Sequence, residues 1–255
     1  MAENLLRERR GHIEIVTINR PEVRNAIDYA TSVEISDAFD ELERDDEVWV
    51  VVLTGAGDKA FCAGMDLKAF THGEIPEVPG MGFAGLCERA FPKPLIAAVN
   101  GAALAGGFEI VLACDLIVAS QEARFGIPEV TLGLIAGAGG LIRLPKRIPR
   151  SKAWELALTG IPMDAHEAAA LGLVNRVVPH EDVLGEALVL AELIAKNAPL
   201  AVKLAKQVLL QAPELPEAQA WDINNELLDV ARGSNDALEG AKAFTEKRLP
   251  KWTGR

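Results

Sequence analysis

The sequence predicts an α/β fold with a helical C-terminal region. Three observations carry that prediction. Short apolar runs, several stopped by glycine, recur through the first part of the chain, and helical stretches separate them. After about residue 145 nearly every segment reads as helix. Such an order fits buried, parallel strands with helices packed on them.

"HIEIVTINR" (12–20) alternates apolar and polar residues and stops before Pro21, which predicts a strand. "SVEISDAFDELERDD" places Ile35, Phe39 and Leu42 at helical spacing. "VWVVVLTG" is a continuous apolar run ended by glycine, as in a strand buried on both faces. "KPLIAAVNG" repeats that form, and "DLIVAS" is a third β-branched run. Residues 71–85, "THGEIPEVPGMGFAG", read as a long loop, and such loops are often functional or mobile. Beyond 145, "SKAWELALTG", "DAHEAAALG" and the stretches after Asp182 are helical, and only "LVNRVVP" predicts a strand. The tail carries large apolar residues on several faces, including Trp221, Phe244 and Trp252, and packs either on another subunit or on its own core.

The 255 residues fit one sizeable domain, with 49% apolar and 25% charged residues. A net charge of −11 argues against a nucleic-acid or anionic-membrane surface. Cys62, Cys87 and Cys114 show no C-x-x-C spacing, so neither disulfides nor a zinc site is expected. The N-terminus, "MAENLLRERRGH", lacks an apolar signal core, and no run is long enough to span a membrane. A cytoplasmic location is expected.

Three Gly-rich turns follow apolar runs: "GAGDKAFCAGMDLK", "NGAALAGGFE" and "FGIPEVTLGLIAGAGG". None matches a nucleotide-binding fingerprint. The second opens a helix whose free N–H groups could stabilise an oxyanion. Glu109 stands in the first turn of that helix, the one charge in an apolar run. It reads equally as a solvent-facing dipole partner or as a functional carboxylate. Glu129, after Pro128, reads as a helix-start carboxylate or as the second member of an acid–base pair. Cys62 reads better as a small buried thiol than as a nucleophile. The basic run "LIRLPKRIPRSK" reads as a solvated face.

Taken together, "TINRPEVRNAI", "AFCAGMDLK", "PLIAAVNGAALAGGFEIVLACDLIVAS", "ARFGIPEVTLGLIAGAGG" and "GAKAFTEKR" resemble the enoyl-CoA hydratase/isomerase (crotonase) superfamily over nearly the whole chain. The resemblance implies a crotonase-like spiral of β-β-α units. It places an acyl-CoA-binding core over 1–195 and a helical oligomerisation region over 196–255, in a trimer or a dimer of trimers. Ala63 and Gly106 are expected to supply the two N–H groups of an oxyanion hole for the thioester oxygen. Glu109 and Glu129 match the two glutamates of hydratase members. Gly64, Met65, Asp66, Leu67 and Gly137 fall on CoA- or substrate-contacting positions, with Arg24 and Ala26 near the adenine and phosphates. Phe244 and Lys247 fall on a segment that can close the CoA site. Ala105 stands where hydratases often carry glycine, a departure expected to matter little beside Gly106 and Gly107.

The implied activity is reversible syn hydration of a trans-2-enoyl-CoA, with CoA part of the substrate and no metal or other cofactor. "GDKAFCAGMDLKA", "GFAGL" and the ending "PKWTGR" also look like carnitinyl-CoA dehydratases. A quaternary ammonium substrate favours an aromatic or acidic pocket, and Phe70, Glu74 and Phe83 lie in or beside loop 71–85. Double-bond isomerisation and a non-catalytic acyl-CoA-binding role are the other readings.

Overall fold

A computed structural model of the chain describes residues 4–255, so the start of the charged N-terminal segment lies outside the described residues. In chain order the elements are β1 (Leu5–Arg10), β2 (Ile13–Ile18), α1 (Tyr29–Arg44), β3 (Val50–Gly55), β4 (Ala60–Cys62), α2 (Leu67–Phe70), β5 (Glu77–Val78) and β6 (Gly82–Phe83). Then come β7 (Leu95–Val99), β8 (Ala102–Leu104), α3 (Gly106–Ala113), β9 (Leu116–Ser120), β10 (Arg124–Gly126), α4 (Gly140–Arg147) and α5 (Arg150–Thr159). The rest are β11 (Met163–Asp164), α6 (Ala165–Ala170), β12 (Arg176–Val178), α7 (Val183–Ala195), α8 (Pro199–Gln211), α9 (Glu217–Arg232) and α10 (Asn235–Thr245). A 3-10 turn, Pro128–Leu132, joins β10 to the approach to α4.

The large sheet has the order β1-β2-β3-β7-β9-β12, parallel throughout except for the β1–β2 hairpin. Its central strands are buried on both faces, which explains their unbroken apolar runs. Val50, Val52, Ile96, Ala98 and Val118 pack toward α7, while Val51, Leu53, Ala97, Val99 and Ile117 join the main core on the other side. β1 is an edge strand not predicted from sequence. Its "LLRERR" is charged because Arg7 and Arg9 pair with the buried Glu14 of β2 and hold Glu41 and Asp45 near the end of α1.

A smaller sheet has the order β11-β10-β8-β4, with β10, β8 and β4 mutually parallel. Strands of three residues carry too little periodicity to be read from sequence. The two sheets give the repeating unit: β3-β4-α2, β7-β8-α3, then β9-β10 followed by the 3-10 turn. Each unit runs one strand in the large sheet, one in the small sheet, and then a helical turn. This is the β-β-α spiral expected above.

Loop 71–85 is not free. Residues 77–83 form a two-stranded hairpin, and Ser32 Oγ and the Ala84 N–H both donate to the Pro76 carbonyl. Arg89 Nη1 donates to Asp40 and Nη2 to the Ser36 carbonyl, tying the following segment to α1.

Candidate active site

Because β10, β8 and β4 are parallel neighbours, their carboxyl ends open on one edge. Cys62 ends β4 and leads to Met65, Leu104 ends β8 and leads to Gly106, and Gly126 ends β10 and leads to Glu129. The same turn of three successive units therefore meets in one place. Crevices outside the carboxyl ends of strands are where open α/β sheets bind ligands.

Glu109 sits in the first turn of α3 and is 2% exposed. Its Oε1 accepts the N–H groups of Ala138 and Gly140, each at 2.7 Å. Among the described residues no donor reaches Oε2. Burial raises the carboxyl above its ordinary range; the two N–H groups and the Arg143 guanidinium oppose that rise. A Cβ on Gly140 would lie 3.0 Å from Glu109 Oε1 and 3.1 Å from its Cγ, so any side chain there would have to push the carboxylate aside.

Glu129, in the first turn of the 3-10 segment, is 9% exposed, and its buried Oε2 has no partner among the described residues. Burial pushes it up to about 7; its own backbone N–H opposes that rise, and the charge of Glu109 adds to it. The structure thus brings the two predicted carboxylates into electrostatic contact and gives them different surroundings.

Gly106 opens α3, so its N–H has no acceptor within the helix. The Ala63 expectation needs correcting. The Ala63 N–H donates to the Arg24 carbonyl at 3.0 Å and is not available to a ligand. The available group is two residues on. Ile27 donates to Gly64 O and Asp66 donates to Ile27 O, a parallel bridge that leaves the Met65 N–H facing the other way and unbonded. A Cβ on Gly64 would lie 3.1 Å from Gly106 N, so these two turns touch. Among the described residues the Met65 and Gly106 N–H groups have no acceptor and belong to these two touching turns.

Arg20 fixes the Met65 turn. Its guanidinium bonds the Ala26 carbonyl at 2.5 Å, Asp28 at 2.7 Å and Asp66 at 3.2 Å. Asp66 in turn caps α2 through the N–H groups of Lys68 and Ala69. Gly107 is required because a Cβ there would collide with the Cys62 carbonyl. Phe83 closes over Gly106, since a Cβ on Gly106 would lie 2.5 Å from its ring. Of the three residues weighed for an ammonium pocket, Phe83 alone is buried; Phe70 and Glu74 are exposed. Ala105 is less benign than expected: at φ 52° and ψ −131° it holds a conformation that favours glycine.

Leu67 and Arg24 are exposed beside the Met65 turn, with Ala26 8% exposed, and a Cβ on Gly137 would meet nothing nearer than 4.0 Å. Phe244 is 86% exposed and Lys247 donates its N–H back to Phe244, so neither packs on this turn within one chain. The thiol of Cys62 is fully buried and pushed up to about 12, as a small packed thiol rather than a nucleophile. The basic run also departs from expectation. Arg143 and Arg147, four residues apart on α4, turn inward onto backbone carbonyls. Their i, i+4 spacing directly after "GAGG" was the signal available in the sequence.

A family described as enoyl-CoA hydratase/isomerase matches residues 8–255. A carnitinyl-CoA dehydratase of Salmonella typhi is 43% identical, covering 100% of both chains. The crystal structure of an enoyl-CoA hydratase from Mycobacterium tuberculosis H37Rv superposes with a TM-score of 0.96 at 49% identity over 99% of each chain. That of a carnitinyl-CoA hydratase from Mycobacterium avium gives 0.80 at 48% over 100% of each.

Proposed function

The chain belongs to the enoyl-CoA hydratase/isomerase family, and we propose that it acts as a hydro-lyase on a trans-2-enoyl-CoA, adding water syn to give a 3-hydroxyacyl-CoA. The observation that carries this reading is the pair of buried, unequal carboxyls, Glu109 and Glu129. Isomerisation needs one carboxyl to shuttle a proton, whereas hydration needs one to activate water and one to serve C2.

The thioester oxygen sits between the Met65 and Gly106 N–H groups. As water attacks C3, enolate charge builds on that oxygen and is stabilised by both bonds and by the N-terminus of α3. Glu109 takes the proton of the attacking water on Oε2, while Oε1 stays pinned by Ala138 and Gly140. Glu129 enters neutral and gives its proton to C2. Protons then redistribute between the two carboxyls, which titrate as a pair. Oxidation level does not change overall, so the step calls for no redox cofactor.

A second reading rests on the full-length likeness to proteins named carnitinyl-CoA dehydratase. The same residues would serve, with crotonobetainyl-CoA as the unsaturated thioester. A panel holding crotonyl-CoA, longer trans-2-enoyl-CoAs, crotonobetainyl-CoA and a 3-enoyl-CoA, followed at the conjugated thioester absorbance, separates the readings. Loss of absorbance with a 2-enoyl-CoA supports hydration. Gain of absorbance with the 3-enoyl-CoA alone would move isomerisation ahead. No turnover with any of them would leave a binding protein.

We also place residues 196–255 at contacts between subunits of a trimer or a dimer of trimers. Leu209, Leu210, Trp221, Leu238 and Phe244 are exposed there in the single chain. A stable monomer in sedimentation at micromolar concentration would overturn that assignment. Three free, buried thiols fit the reducing conditions of a cytoplasmic location.

A further inference from the structure

Arg143 is a partly buried arginine that makes no ion pair among the described residues. Its guanidinium lies across the active-site loop. Nη1 donates to the Ala138 carbonyl at 3.2 Å and Nη2 to the Cys87 carbonyl at 2.5 Å. Gly139, at φ +101°, makes room for it, because a Cβ there would collide with Nη1. Ala138 and Gly140, on either side of that glycine, are the residues whose N–H groups hold Glu109. One side chain therefore ties the cradle of Glu109 to the segment that precedes β7.

We propose that Arg143 is a positioning residue for hydration: it fixes the Ala138–Gly140 loop that aims Glu109, and it sets positive charge behind that carboxylate. This rests on the hydratase reading above. The titratable or charged groups that act on or feel Glu109 are Arg143 from α4, Glu129 from the 3-10 turn and the Cys87 thiol from the segment before β7. Arg143 is the cation among them, and it opposes the upward push of burial on Glu109. Arg147 is the built-in contrast. From the next turn of α4 it bonds the Leu112 and Cys114 carbonyls at the end of α3, a helix C-cap, and it is not among the charges that act on Glu109 or Glu129.

The test measures kcat, KM and the pH profile of crotonyl-CoA hydration for the parent, Arg143→Met, Arg143→Lys and Arg147→Met. A parent that hydrates no enoyl-CoA sinks the hydratase reading itself; every other outcome bears on Arg143. In Arg143→Met, kcat should fall roughly 100-fold through misplacement of Glu109, with KM nearly unchanged. The ascending limb of the profile, which needs ionised Glu109, should move to higher pH because a facing cation is gone. Arg143→Lys keeps the charge but cannot bridge both carbonyls, so kcat should fall while the limb stays in place. If Arg143→Met does not fold, this lysine variant carries the test. Arg147→Met should melt at lower temperature without moving the limb. The proposal fails if Arg143→Met only lowers the melting temperature and leaves kcat per folded enzyme and the limb at parental values. It also fails if both arginine-to-methionine variants shift the limb alike.

Discussion

The two sides of the active site are built on opposite principles. On the α3 side Glu109 is enclosed, with one oxygen held by two N–H groups that arrive on glycine-dependent backbone. On the 3-10 side Glu129 is nearly as buried, yet its Oε2 has no partner among the described residues. Donors to a carboxylate favour its charged form, and burial without donors favours the neutral one. One fold therefore keeps a base and an acid side by side by giving Glu109 two N–H donors from a neighbouring loop, while Glu129 has only its own backbone N–H and feels the charge of Glu109.

The strongest way to break this comparison is to neutralise each carboxyl in turn. Glu109→Gln and Glu129→Gln should each lower the hydration rate by about 100- to 10,000-fold, with little change in thioester binding. The double variant should lose far less than the product of the two, because the pair acts on one reaction as a unit. Exchange of the C2 proton with solvent deuterium assigns the roles. Glu129→Gln should suppress it, whereas Glu109→Gln should retain some. Hydration at the parental rate in Glu109→Gln would show that the enclosed carboxylate is a helix-start charge and nothing more.

A smaller effect separates the two sides by stability. The Glu129 carboxyl titrates near 7 when folded, against an ordinary value of 4.5. The folded chain therefore holds this proton longer than the unfolded chain does. Its contribution favours folding most fully below about 4.5 and is lost as pH rises through about 7. Glu129→Gln should consequently gain up to about 3 kcal/mol relative to the parent at pH 8, and little at pH 4. Denaturant unfolding at the two pH values checks this. An equal change at both would mean that the orphaned oxygen is not the source. The same group should give hydration a descending limb near pH 7, since the proton donor must be neutral.

How much of this was legible beforehand divides along physical lines. Glu109 stood out because a charge in an apolar run is costly, and the large-sheet strands stood out because both their faces are buried. The small sheet did not, since β4, β8 and β10 are too short to show a period, and the convergence of three turns is a property of that sheet. The oxyanion donor was misplaced at Ala63 because the sequence does not reveal which N–H is already bonded. Only the Ala63–Arg24 bond and the Ile27–Met65 bridge distinguish neighbouring peptides of one turn. Arg143 and Arg147 were hidden in a run that reads as solvated, because cations that bond carbonyls look no different in sequence from cations that face water.

The smallest effect concerns the cost of the enclosed side. Ala105 begins the turn into α3, and its carbonyl accepts the N–H groups of Phe108 and Glu109. Its φ of 52° with ψ −131° is a conformation in which an L side chain crowds the backbone, while glycine is at ease. Its methyl group also faces Gly64, on which a Cβ would lie only 2.8 Å away, so no side chain fits at Gly64 unless something shifts. Ala105→Gly should remove this strain, partly offset by the greater freedom that glycine has when unfolded. The net expectation is a gain of about 1 kcal/mol, read as a higher midpoint in urea at unchanged slope. Glu109 hangs from this turn, so the rate is the informative second measurement. If the cradle at Ala138 and Gly140 alone aims the carboxylate, Ala105→Gly will be more stable and equally active. If the strained turn also helps to aim it, the variant will be more stable and slower, and the rigidity of the α3 side will be traced to both of its ends.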